Sequence, residues 1–94
     1  METKTINANN WSGKLVTYKF AKNTIYLPND YVISIKKVDD EMASIYWKSK
    51  GEKEKQLLCK AYFYDNEWSA ECMGVERESQ DLKDVAVEMF YNLV

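Results

Sequence analysis

The apolar residues of this 94-residue chain change period near residue 80, and no other feature constrains the fold as strongly. Beyond that point Leu82, Val85, Ala86, Met89, Phe90 and Leu93 recur at intervals of three and four, an apolar stripe along one side of an α-helix. Before it, apolar and polar residues alternate one for one, as in strands with one buried and one wet face. Strands followed by a single amphipathic helix define an α+β domain. The expectation is an antiparallel meander of about four to five strands with one C-terminal helix packed on one face. Ser79 is placed to cap that helix, and Asp81 and Asp84 suit the positive end of its dipole.

The strands separate at turn-forming residues. Val16, Tyr18 and Phe20 suggest the first, and a short extra strand is expected over residues 23–27. Pro28, Asn29 and Asp30 form a turn before Ile33 and Ile35. The acidic turn Asp39, Asp40, Glu41 leads into Ala43, Ile45 and Trp47, and Lys50, Gly51, Glu52 mark the next reversal. Leu57, Cys59, Ala61 and Phe63 then alternate with Leu58, Lys60, Tyr62 and Tyr64, and Trp68, Ala70 and Cys72 form one face of the strand that follows. Asp65 and Asn66 tolerate positive φ, so a two-residue hairpin loop is expected there. That loop sets Phe63 against Trp68, Ala61 against Ala70, Lys60 against Glu71 and Cys59 against Cys72. Each pair is chemically matched, and a slip of one residue would scramble them all.

A chain of this length makes one domain, residues 1–94. Residues 1–10 are either a flexible N-terminal segment or, with Ile6 and Trp11, a cover over the sheet face opposite the helix. The start lacks a basic opening and an apolar run, and no apolar stretch approaches the ~18 residues of a membrane span, so a cytoplasmic protein is expected.

The available chemistry is sparse. The chain has no histidine, which removes the commonest general base and the Ser-His and Cys-His nucleophile pairs. Its three glycines are isolated, so no phosphate loop exists. Two cysteines are too few for a metal site; a cross-strand disulfide fits the hairpin register, while a cytosolic setting favours two reduced, buried thiols. The expectation is a protein that is not an enzyme and uses no cofactor or metal.

Charge points instead to association. Residues 1–60 carry eleven lysines against seven acids, whereas residues 61–94 carry Arg77 and Lys83 against eight acids. A net −6 in the C-terminal third would steer a basic partner. On the helix side, Glu78, Asp81, Asp84, Glu88 and Tyr91 are the candidate partner-binding residues, with Val87 a neighbour of Tyr91 on the helix exterior. The alternative surface is the sheet face of Tyr46, Lys48, Lys60, Tyr62 and Tyr64 together with Leu58. Tyrosines interleaved with lysines suit single-stranded nucleic acid, a protein partner or a second copy of the chain. The function expected is a small binding protein acting through a protein–protein interface, such as a phage- or bacterium-encoded inhibitor or immunity-type protein occluding a basic partner like a nuclease. A nucleic-acid binder and a homodimer formed through the sheet face are the alternatives.

Overall fold

The computed structural model describes residues 1–9 and 12–94. Eight strands form one antiparallel sheet in sequence order: β1 (Glu2–Asn9), β2 (Lys14–Ala21), β3 (Thr24–Tyr26), β4 (Tyr31–Lys37), β5 (Met42–Ser49), β6 (Gln56–Tyr64), β7 (Glu67–Cys72) and β8 (Val75–Ser79). The helix α1 (Leu82–Leu93) closes the chain and packs in the trough of the curled sheet, touching both its first and last strands. The class is the expected α+β meander with one C-terminal helix, but the strands number eight rather than four or five.

The expected elements account for β2 and β4 to β7, and the short strand expected at residues 23–27 is β3. The additions are the two edges. Residues 2–9 neither hang free nor cross the other face; they pair with β2 from Glu2–Phe20 to Asn9–Lys14, with Ile6 packed against the core. Trp11 lies outside the described residues. β8 follows a turn in which Met73 (φ 52) and Gly74 (φ 81) both adopt positive φ, the twist that joins antiparallel strands in two residues.

The β6–β7 hairpin turns where expected, with Asp65 at φ 53 and Asn66 at φ 67. Its ladder pairs Tyr64 with Glu67, Phe63 with Trp68 and Ala61 with Ala70. The Phe63 and Trp68 rings lie 5.2 Å apart. Lys60–Glu71 and Cys59–Cys72 would continue the register beyond the ladder's last pair. On the other side of β6 the register shifts, because Ile45 pairs with Cys59 but Tyr46 with Leu57. Leu58 is the extra residue of this bulge. Leu58 consequently packs partly against the core and Leu57 is exposed, the reverse of their expected faces.

Ala8, Val16, Tyr18, Ile25, Ile33, Ile35, Ala43, Ile45, Cys59, Ala61, Trp68 and Ala70 bury the concave face against Val85, Ala86, Val87, Met89 and Phe90 of α1. Each fully buried Ile or Val contributes about 1.5–3 kcal/mol relative to exposure. Val87 is fully buried, not exterior as its helical position suggests. A curled sheet meets the helix on more than one side, so the buried stripe is wider than a flat sheet would require. The helix N-cap is Asp81, whose carboxylate accepts from the amide of Lys83 at 2.9 Å; Ser79 sits further out and accepts from the amide of Asp81 at 3.2 Å.

Candidate functional site

The five helix-side candidates separate once the helix lies in the trough. None of the residues of α1 is exposed. Asp84 accepts from Lys4 Nζ at 2.6 Å and from the Tyr18 hydroxyl at 2.8 Å, and Asp81 accepts from the same ammonium at 3.3 Å. The hydrogen bond to Asp84 raises the Lys4 pKa against the opposing pull of desolvation, and burial raises that of Tyr18. These carboxylates tie the edge strand β1 to the helix N-terminus. Glu88 is half-buried; desolvation raises its carboxyl pKa, which Arg77 offsets in part and Asp84 reinforces. Tyr91 is half-covered between the Phe90 ring at 5.5 Å and the Lys14 ammonium at 4.7 Å. Of the five, Glu78 alone stands exposed on the outer face.

A polar seam holds the other end of the helix. Asn92 Nδ2 donates to the carbonyls of Ala8 (3.1 Å) and Glu88 (2.7 Å), and its Oδ1 accepts from Arg77 Nη2 at 3.2 Å. One amide side chain thus links β1, α1 and β8. The inward positions of both edges are therefore polar at Lys4 and Arg77, which explains why neither strand announces itself by apolar alternation.

The outer sheet face keeps most of its expected members and divides by charge. Lys60, Tyr62 and Tyr64 are exposed, while Tyr46 and Lys48 are half-buried. Lys36 and Lys60 flank Ser44 on the ladders of β4, β5 and β6. The Tyr46 ring is covered by the Lys55 ammonium at 4.9 Å, which removes it as a platform for stacking a base. Across β6 the sign reverses. Tyr62 pairs with Ser69, Ser69 with Glu78, and Tyr64 with Glu67. Tyr64, Asp65, Glu67, Ser69, Glu76 and Glu78 line one shallow depression. None of its four carboxylates has a basic partner among the described residues. Tyr62 is 51% exposed and Tyr64 83%.

Asp65 and Glu67 are the members that sequence reasoning did not select, while Glu76 opens the acidic run that continues through Glu78 to the helix-side candidates. The signal was available in the Met73-Gly74 turn: a hairpin there returns Glu76 and Glu78 to the face of Ser69 and Tyr62 by parity alone. No cluster of metal-ligating side chains occurs among the described residues, and no helix there is long and apolar enough to cross a membrane.

The cysteines are both thiols on the concave side. Burial, with a smaller contribution from Cys72, pushes the Cys59 pKa up to about 12. The thiolate is the reactive species. Iodoacetamide at about pH 8 should therefore alkylate the half-buried Cys72 at least about a hundredfold faster than Cys59 in the folded protein. Equal rates by peptide mass spectrometry would show that Cys59 is not sealed in the core.

No family model, no curated protein and no solved structure matches the chain.

Proposed function

We propose that the chain is a small non-enzymatic binding protein that holds a basic protein surface against the outer face of β6 to β8, in the manner of a phage- or bacterium-encoded inhibitor or immunity protein. One observation carries this reading: two exposed tyrosines, Tyr62 and Tyr64, stand beside four carboxylates that have no basic partner among the described residues. Tyrosine supplies contact area at low entropic cost, and a single-sign rim raises the rate of encounter with a partner of opposite charge. The acidic character expected of the interface is kept. Its seat moves from Asp81, Asp84, Glu88 and Tyr91, which are engaged within the fold, to Asp65, Glu67, Glu76 and Glu78.

Affinity capture from the native host lysate, followed by kinetics on the captured protein, tests the reading. Tyr62→Ala with Tyr64→Ala should speed dissociation about tenfold or more, as loss of anchors does. Glu76→Lys with Glu78→Lys should slow association and flatten its salt dependence. A partner retained unchanged by both pairs would place the interface elsewhere. Sedimentation of the protein alone as a dimer that Tyr62→Ala disrupts would replace a foreign partner with a second copy.

A further inference from the structure

We infer that the open edge of β8 takes up an extended segment of the partner, with lysine or arginine at alternate positions, as a ninth strand of the sheet. The inference rests on the reading that the partner is basic and lies against the outer face, and it names how part of that partner is held.

The edge is open because β8 pairs with β7 alone. In a two-residue hairpin of the Met73-Gly74 kind, the closing residues Cys72 and Val75 exchange both backbone hydrogen bonds. Bonding then alternates along the strand. Val75, Arg77 and Ser79 bond to β7, while the amides and carbonyls of Glu76 and Glu78 point away from the sheet. An independent contact agrees with this parity: Arg77 Nη1 reaches round its own strand to donate to the Glu76 carbonyl at 2.6 Å. That inward-rooted arginine shields one acceptor of the edge, a recognised way of discouraging indiscriminate pairing. Two amides and the Glu78 carbonyl remain available.

Charge selects what can pair there. Glu76 and Glu78 are both exposed and both on the outer side of β8. A strand laid alongside would bring its own outward side chains to about 4.5–5.5 Å from theirs. A second β8 would oppose glutamate to glutamate and is disfavoured. The other edge of the sheet, β1, presents Thr3, Thr5 and Asn7 on its outer side and offers no complement. Lysine or arginine at alternate positions satisfies both glutamates while its backbone completes the edge, the pattern of strand addition. An incoming donor replaces Arg77 at the Glu76 carbonyl, and the guanidinium keeps its bond to Asn92.

A blocked peptide of alternating lysine and threonine, its glutamate counterpart and the full chain provide the test. The lysine peptide should bind at low salt and slow exchange of the Glu76 and Glu78 amide protons about tenfold or more; the glutamate peptide should not bind. Glu78→Pro removes an outward N–H without touching the bonds to β7 and should weaken binding about tenfold. Glu76→Lys with Glu78→Lys keeps the backbone and should reverse the preference toward the glutamate peptide. Absence of binding, absence of amide protection, or unchanged binding by Glu78→Pro overturns strand addition. Where Tyr62→Ala with Tyr64→Ala still releases the captured partner while Glu78→Pro does not, docking on the outer face stands and only the ninth strand is wrong. Where neither variant releases it, both readings fail.

Discussion

Phe90→Ala is expected to lower the stability of the domain by about 3–5 kcal/mol, the usual cost of truncating a buried aromatic side chain. Phe90 is 4% exposed and central to the apolar stripe of α1. Its ring lies 5.1 Å from that of Tyr31 and 5.7 Å from that of Trp47, so β4 and β5 supply its aromatic neighbours from the sheet. Truncation therefore leaves a cavity bounded by rigid rings on a curved sheet, which relaxes poorly. Domains of this size are typically stable by about 5–15 kcal/mol, so the variant would stand close to unfolding. Urea titration followed by tryptophan fluorescence measures the loss, and a value below ~1 kcal/mol would show that Phe90 is not a core residue.

Asp84→Ala should cost about 2–3 kcal/mol, and Asp84→Lys more, because the side chain serves two donors at once. Its side chain is 15% exposed; Lys4, at 38%, is wetter, and solvent screening reduces what that ion pair alone contributes. The larger share falls on Tyr18, which is fully buried and whose hydroxyl would lose its acceptor. Viewed from sequence, Asp84 is a surface charge of the helix whose reversal leaves the fold intact. The hydrogen bonds from β1 and β2 make it a structural residue instead. A double-mutant cycle with Tyr18→Phe separates the two contributions: the pair should couple strongly, and simple additivity would show that the bond carries no energy.

Local pattern was sufficient where neighbours in sequence are neighbours in space. The hairpin at Asp65-Asn66 needed only a turn that favours positive φ and pairs of matched side chains, and its register is as read. The helix needed only its stripe of period 3.6. For the candidate site, Tyr62, Tyr64 and Glu78 were legible as outward residues. Asp65 and Glu67 adjoin them through the β6–β7 hairpin, whereas Glu76 joined them only when β8 folded back beside β7.

What the sequence by itself determined is the α+β class, the order of the elements from β2 to β7 with the helix after them, and the inner and outer faces of those strands apart from Leu57 and Leu58, because alternation and helical period are set by backbone geometry within each segment. What only the tertiary structure decided is the curl of the sheet. Curvature brings β1 and β8 to the two flanks of α1, so that Lys4 meets Asp81 and Asp84, and Arg77 meets Asn92. It buries Val87, engages Asp81 and Asp84 with Lys4 and leaves the exposed acidic face on β7 and β8. Curl arises from strand twist, the β5–β6 bulge and packing around a helix distant in sequence, and no window of neighbouring residues contains that sum.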